Sequence, residues 1–306
     1  MSTAETTLAT VDRRSMQQVQ AKPLSPWRIV WRRLKRSRIA LTGSIVFGLV
    51  LLACLLAPVI APYGKNDIDL FNITAPASSE HWLGTDPLGR DVVTRLLYGG
   101  QLSLLIGVGS AVIAVAIGIL VGAVAGYYGG WTDSILMRFV DLMLAFPSIF
   151  LLLIVAAILD GITVANVIIF LAAFGWMWLA RIIRGEFLSL KQREFVEAAR
   201  MIGVPSRRII TRHLLPNVTG PIIVALTLDI ALYILAEATL SFLGFGVKPE
   251  NPTWGNMLNE ARTYALTRPL LVIAPGLTIT LVVLAINFIG DGLRDALDPT
   301  QRRIRA

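Results

Sequence analysis

The segment from Glu194 to Asn217 reads EFVEAARMIGVPSRRIITRHLLPN, and it separates two long apolar stretches of the chain. Helix-to-helix connections in bundles need only about 2–8 residues, whereas this one is long and highly charged. Its pattern predicts a first short helix over Glu186–Ile202, which Gly203 ends in a left-handed conformation. Pro205 then opens a second short helix, and Pro216 limits it. The segment is therefore a structured element between two apolar helices.

Local charge spacing supports the first of these short helices. Arg193 and Glu197 stand at i,i+4, and Glu197 and Arg200 at i,i+3, so two ion pairs along the helix surface are predicted. The small side chains of Ala198 and Ala199 leave a shallow surface. Another protein can press against the helix backbone at such a surface.

The rest of the chain is built for a lipid bilayer. Of its 306 residues 55% are hydrophobic and 16% are charged, whereas soluble domains contain about 25% charged residues. Six apolar runs each approach the roughly 20 residues that a membrane-spanning helix needs. Five of them contain no Asp, Glu, Lys or Arg: Ile39–Ala61, Leu102–Gly126, Leu142–Leu159, Gly161–Ala180 and Pro269–Gly290. The sixth, Val218–Val247, contains only Asp229 and Glu237 as charged residues. The sequence predicts an all-α integral membrane protein with six transmembrane helices.

The distribution of basic residues predicts the orientation. Of the 28 Lys and Arg residues, only six fall in segments that six alternating crossings place outside the cell. Basic residues are retained on the cytoplasmic side, so both termini and the Glu194–Asn217 segment are predicted to be cytoplasmic. The net charge of +8 then reflects topology and anionic lipid rather than nucleic acid. The predicted organisation is a basic cytoplasmic segment 1–38, a first transmembrane helix 39–61, an outer loop 62–101, a five-helix core 102–290 that includes a cytoplasmic loop 186–216, and a cytoplasmic tail 291–306.

Two further patterns concern the second apolar run and the loop before it. Gly84–Gly100 reads as a short amphipathic helix at the outer interface, capped by Thr85 or Asp86 and ended by Gly99 and Gly100. It either anchors the next membrane helix or receives a partner. Within the run Leu102–Gly126, three glycines stand at four-residue spacing: Gly118, Gly122 and Gly126. They predict a helix face that another helix, in this chain or in another one, approaches closely.

Charged residues inside apolar runs are costly and call for a partner or a polar surface. Arg138 and Asp141 are one turn apart, so they are predicted to pair with each other. Asp229 and Glu237 either line a polar substrate path, where they meet a cationic amine, or make hydrogen bonds between helices. The sequence leaves both interpretations open.

The spacing of Glu197-Ala198-Ala199, Gly203 and Leu215-Pro216 matches the EAA motif of the permease subunits of bacterial ABC importers. One position departs from the motif, since His213 stands where isoleucine is usual. Three other stretches resemble the dipeptide/oligopeptide branch of these permeases, and in particular the second of the two permeases that such systems contain: HWLGTDPLGRDVVTRLLYG (His81–Gly99), LSFLGFGVKPENPTWGNML (Leu240–Leu258) and GDGLRDALDP (Gly290–Pro299).

The resemblance to these binding-protein-dependent inner-membrane components implies a type I ABC importer permease fold with a two-helix coupling loop. It implies that Glu197, Ala198, Ala199, Gly203, Leu215 and Pro216 contact an ATP-binding subunit. The implied partners are a second permease, two ATPase subunits, an extracytoplasmic solute-binding protein and membrane lipid, in the cell inner membrane. The implied solutes are di- and oligopeptides, with glutathione, nickel or another small solute as the alternative.

Enzymatic chemistry is not indicated by the sequence. No G-x-x-x-x-G-K-[ST] segment occurs, so ATP hydrolysis is assigned to partner chains. The two histidines, His81 and His213, fall on opposite sides of the predicted membrane. They are therefore expected to be surface residues rather than metal ligands, and no cofactor is expected. A secondary transporter driven by an ion gradient, with Asp229 and Glu237 as proton carriers, leaves the Glu194–Asn217 segment without a role.

Overall fold

The computed structural model describes residues 26–158 and 163–297, and within these ranges the regular elements are helices without a strand. Eleven of these helices have eight residues or more. In chain order they are α1 (Pro26–Arg36), α2 (Arg38–Leu55), α3 (Val92–Tyr128), α4 (Gly130–Leu144), α5 (Ser148–Ile158), α6 (Val164–Gly175), α7 (Met177–Leu190), α8 (Glu194–Met201), α9 (Thr219–Phe242), α10 (Trp254–Ala261) and α11 (Leu270–Leu297).

The helices provide up to six membrane crossings. Four of them, α2, α3, α9 and α11, are long and apolar enough to cross a bilayer individually. Two bent pairs, α4 with α5 and α6 with α7, each supply one further crossing if the pair is counted as one span. The prediction of an all-helical membrane protein is confirmed.

The third and fourth crossings are broken helices, which the apolar runs do not indicate. The α4–α5 pair bends by 78° and the α6–α7 pair by 43°. The first break falls immediately before Pro147 and Ser148, because proline has no N–H to continue the helical ladder. The predicted run Leu142–Leu159 crosses this break, so two helices joined at a bend make this crossing. The second break lies at Trp176, within the predicted run Gly161–Ala180.

Helix α3 is continuous from Val92 to Tyr128, so the predicted separate amphipathic helix ending at Gly99 and Gly100 is wrong. The helix is capped by Asp91, whose carboxylate accepts the backbone N–H of Thr94 at 2.8 Å, rather than by Thr85 or Asp86. Gly100 does not end the helix but lets Cys54 pack closely against it. A Cβ there would lie 2.2 Å from the Cys54 sulfur.

The glycine face of α3 packs against α7 of the same chain, which answers the question that its spacing left open. A Cβ on Gly122 would lie 2.5 Å from the carbonyl oxygen of Ala180, and a Cβ on Gly126 would lie 2.8 Å from that of Arg184. A Cβ on Gly118 would come within 2.9 Å of a third α7-side carbonyl, that of Trp176. The two backbones therefore touch over two turns, and no larger residue fits.

The bundle has two distinct ends. Tyr128, Leu190, Thr219 and the C-terminal part of α11 lie at one end, where Leu297 approaches Gly220. We call this the elbow end, because the Glu194–Asn217 segment, named the elbow below, emerges there. The loops 61–91 and 243–269 lie at the opposite end, named the far end.

Candidate functional site

The elbow is anchored in the core of the bundle through one face of α8. Val196 and Ala199 are buried in a hydrophobic cluster with Tyr127 of α3 and Phe187 of α7. Glu197 and Ala198 are exposed on the same helix. One face of α8 is therefore fixed to the membrane helices, and the other face is free to contact another molecule.

Helix α8 ends in a Schellman motif. The N–H of Val204 donates to the carbonyl of Ala199 at 3.0 Å, and the N–H of Gly203 donates to that of Arg200 at 2.9 Å. Gly203 has φ +78°, which confirms the predicted left-handed stop. Nothing else in the described residues lies within 4 Å of a Cβ built at this glycine, so its surroundings are open.

Large apolar side chains project from the elbow without cover. Phe195 is 44% exposed, Met201 88% and Ile202 80%. Because uncovered apolar side chains grouped at one place mark interaction sites, these three define the candidate docking surface. It lies directly beside the Gly203 turn.

The second half of the elbow returns the chain to the membrane. A short α-turn at Ser206–Arg208 leads into a π-helix at Ile209–Leu214 and a 3₁₀ turn at Leu215–Asn217. Ile209 and Leu214 are buried, Leu215 is half-buried and Pro216 is exposed. At the motif position where His213 replaces isoleucine, the side chain is half-buried, and the apolar contact is made by the next residue, Leu214.

The predicted local ion pairs of the first elbow helix do not form among the described residues. Arg200 instead lies with its guanidinium carbon 5.4 Å from the Tyr127 ring centroid. This cation–π contact ties α8 to the end of α3. The pairing of Glu197 with Arg193 or Arg200 is therefore wrong, and Glu197 stays exposed.

The predicted start of the first elbow helix is also wrong. Residues 186–190 belong to the membrane helix α7, and α8 begins only at Glu194. Between the two helices, the Lys191 ammonium group donates to the carbonyl oxygen of Gly126 at 2.9 Å. This bond satisfies a carbonyl near the C-terminus of α3 and fixes the point where the elbow leaves the bundle.

Asp229 lies in the middle of α9 and is half-buried. Its carboxylate makes no hydrogen bond or ion pair with any of the residues that the structure describes. Tyr233 stands one turn further along the same helix. A carboxylate in this setting needs water or a ligand, which keeps Asp229 a candidate for the substrate path.

Glu237 occupies a different environment, because its side chain is 1% exposed and fully engaged. Ser103 donates its hydroxyl to Glu237 Oε2 at 3.2 Å, and Ser241 donates to Oε1 at 2.7 Å. The N–H of Trp254 donates to the Ser103 hydroxyl at 3.1 Å. The network links α3, α9 and α10, so the geometry is that of hydrogen bonds between helices and not of a residue open to a path.

Asp141 pairs with a residue other than the predicted Arg138. Its carboxylate accepts a hydrogen bond from the guanidinium of Arg181 on α7. A second pair joins the same two helices, since Arg184 Nη2 donates to Asp133 Oδ2 at 2.6 Å. Both pairs join residues that are about forty to fifty positions apart, which local spacing could not indicate.

The far end holds a buried charge cluster. Arg90 donates to Asp86 Oδ2 at 2.6 Å and to Glu260 Oε2 at 2.7 Å, and Arg95 donates to Glu260 at 3.3 Å. His81 is also buried, with Nδ1 3.0 Å from Asp91 Oδ1, so the expectation that His81 is a surface residue is wrong. The cluster fastens the loop 61–91 to α10.

No group of three or more metal-ligating side chains occurs within residues 26–158 and 163–297. The functional candidates are the elbow, Asp229 and the Asp141–Arg181 pair.

A helical bundle with up to six membrane crossings, two of them broken, and with a structured element between two crossings, is an integral membrane protein. Residues 118–303 match the family described as the binding-protein-dependent transport system inner membrane component. Residues 25–77 match the N-terminal TM domain of oligopeptide transport permease C.

Curated relatives cover nearly the whole chain. The glutathione transport system permease protein GsiD of Escherichia coli O6:K15:H31 (strain 536 / UPEC) is 46% identical over 276 residues, which are 90% of this chain and 91% of that protein. GsiD of Shigella boydii serotype 4 (strain Sb227) gives the same identity and coverage. GsiD of Shigella dysenteriae serotype 1 (strain Sd197) is 45% identical over the same length. The chain belongs to the family of binding-protein-dependent transport system inner membrane components and is an ABC importer permease subunit.

Proposed function

We propose that this permease subunit forms the solute path together with a second, different permease chain, and that ATP-binding subunits dock on its elbow. The observation that carries the proposal is the two-sided geometry of α8. Val196 and Ala199 fix one face to the bundle, while Met201 and Ile202 project from the other end without cover. An element built in this way transmits a displacement at its free face directly into α7 and α9.

The proposed coupling depends on this attachment of the elbow to the bundle. Nucleotide-driven closure of the ATP-binding subunits moves the elbow, and the elbow swings the attached membrane helices between inward- and outward-open states. A solute-loaded binding protein at the far end favours one of these states, which shifts the population toward it. ATP is hydrolysed in the partner subunits, and this chain supplies the mechanical link.

The orientation that fits this role has both chain termini and the elbow in the cytoplasm. The basic residues support it, because only six of 28 lie in segments on the far side. Reporter fusions after Lys65 and Lys248 should report a location outside the cell, and a fusion after Lys191 should report a location in the cytoplasm. An outside signal at Lys191 would contradict the coupling role of the elbow.

The solute that we propose is a short peptide. The resemblance of several stretches to peptide permeases and the 46% identity to glutathione permeases both support a peptide-like solute. Glutathione is itself a tripeptide and is the first compound to test. Asp229, a half-buried carboxylate without a partner among the described residues, is suited to meet the ammonium group of such a solute.

The test is uptake by the complete complex in proteoliposomes. The complex contains both permeases and the ATP-binding subunits, with the binding protein outside and ATP inside. A panel of glutathione, di- to hexapeptides and a nickel chelate identifies the solute. We expect uptake of a peptide that requires both ATP and the binding protein. Uptake that an ion gradient drives without ATP would support a secondary transporter and contradict the proposal, and uptake of the nickel chelate alone would contradict the peptide assignment.

A further inference from the structure

A cavity of about 490 Å³ opens where both broken membrane crossings have their breaks. Its walls come from the end of α4, the start of α5 and the two sides of the α6–α7 bend. The side chains that matter here are Asp141, Phe146, Ser148, Phe174, Trp178 and Arg181. The volume falls within the roughly 300–1,000 Å³ that ligand sites occupy.

The position of the breaks is informative in a membrane protein. Irregular backbone at membrane depth is tolerated only where it is buried in protein or lines a water-filled cavity. Discontinuous helices of this kind form solute sites near the bilayer midplane in other transporters. Arg181 lies nine residues before the end of α7 at Leu190, which is about 14 Å along the helix axis. Arg181 therefore lies inside the helix pair that makes the fourth crossing.

The cavity contains one charge of each sign. Arg181 donates to the Asp141 carboxylate, and its guanidinium carbon lies 5.8 Å from the Trp178 ring centroid. The side chains of Asp141 and Arg181 are 60% and 40% exposed. An exposed ion pair within a membrane crossing is costly against hydrocarbon, so it calls for water, a polar ligand or a partner chain beside it.

The neighbouring ion pair provides an internal comparison. Asp133 and Arg184 join the same two helices, but their side chains are 15% and 35% exposed and neither lines the cavity. The two pairs therefore share the same fastening role between α4 and α7. Only the Asp141–Arg181 pair also presents its charges to an open space.

We propose that this cavity is a solute-binding site in the transport path, and that it takes a short zwitterionic peptide. The Arg181 guanidinium accommodates the carboxylate of the solute in a bidentate pair, the Asp141 carboxylate binds its ammonium group, and Trp178 and Phe174 cover the apolar part. When the cavity is empty, the two charges satisfy each other. The inference rests on the proposed function, because it presupposes that a small peptide crosses this chain.

The first experiment measures water and solute access without altering the ion pair. In a Cys54→Ala background, Ser148→Cys places a thiol in the cavity wall, and Ser134→Cys places an exposed control thiol on α4 away from it. A water-soluble methanethiosulfonate reagent is applied to the assembled complex. We expect Ser148→Cys to be labelled, and a saturating thiol-free dipeptide to slow its labelling at least fivefold while Ser134→Cys labelling stays constant. No labelling at position 148 would overturn the proposal, because lipid or the partner permease would then fill the cavity. Labelling without protection would overturn it as well, because water would then enter the cavity but the peptide would not bind there.

The second experiment compares the two ion pairs in uptake. Arg181→Gln should lower peptide uptake at least tenfold with ATP hydrolysis retained, and Arg184→Gln should lower it less than threefold. An equal loss of uptake in both variants would mean that the Asp141–Arg181 pair only holds α4 and α7 together. Wild-type complex that transports no peptide would refute the proposed solute. A transporting wild type with a fully active Arg181→Gln variant would refute the cavity assignment alone.

Discussion

The left-handed turn at Gly203 offers a sharp test of the elbow as a coupling element. Gly203 has φ +78°, and no atom of the described residues lies within 4 Å of a Cβ built there. Gly203→Val therefore costs conformational strain of about 1–2 kcal/mol rather than a clash within the chain. That free energy corresponds to a roughly five- to thirtyfold lower population of the intact turn. Asn visits the left-handed region more readily, so Gly203→Asn is the matched control.

Hydrogen exchange and uptake report the two consequences separately. The amide of Val204, which donates to Ala199 in the turn, should exchange about five- to thirtyfold faster in Gly203→Val. Peptide uptake by the reconstituted complex should fall at least fivefold in Gly203→Val and less than threefold in Gly203→Asn. Both variants should insert normally, because no membrane helix is changed.

Two results would refute this reasoning. Normal uptake by an inserted Gly203→Val protein with accelerated exchange would mean that the turn has no role in coupling. Equal losses in Gly203→Val and Gly203→Asn would mean that space at this position, and not its backbone conformation, limits docking.

Three further substitutions test the packing and the polar residues of the bundle. Gly122→Leu should abolish folded protein in fluorescence-detected gel filtration, because even a Cβ lies 2.5 Å from the Ala180 carbonyl oxygen, whereas Gly48→Leu, in open space, should be recovered at wild-type yield. Glu237→Leu should lower the free energy of unfolding by about 1–3 kcal/mol, since it leaves buried hydroxyl groups without their partner, and an unchanged melting temperature would contradict this. Asp229→Asn should leave the melting temperature and basal ATP hydrolysis unchanged but lower peptide uptake, and full uptake would remove Asp229 from the path.

The apolar runs predict the class of fold because a membrane helix needs little beyond length and composition. They do not reveal where a crossing breaks, since the 78° bend before Pro147 and Ser148 interrupts a run that is apolar throughout. Gly99 and Gly100 give the opposite error, because they predict a helix end where the structure has none. They resemble a helix stop, but α3 continues through them because Trp254 and Cys54 pack closely against that turn.

Local patterns predict the elbow better than they predict its partners. The stop at Gly203 and the opening at Pro205 depend on backbone conformation, which the residue type controls directly. The ion pairs depend on which elements the fold brings together. Arg200 lies on Tyr127 instead of pairing with Glu197, a contact that spacing along one helix cannot indicate.

Photo-crosslinking from the elbow is the most direct measurement of whether this chain couples ATP hydrolysis to transport. In a Cys54→Ala background, Ile202→Cys carries a benzophenone maleimide at the exposed end of α8, and Leu266→Cys carries it at the far end, where Leu266 is also exposed. In the assembled complex we expect Ile202→Cys to crosslink to an ATP-binding subunit, with a yield that changes when ATP is bound, and Leu266→Cys to give no such product. ATP-binding subunits that co-purify yet never crosslink at position 202 would contradict the assignment of the elbow as the coupling surface.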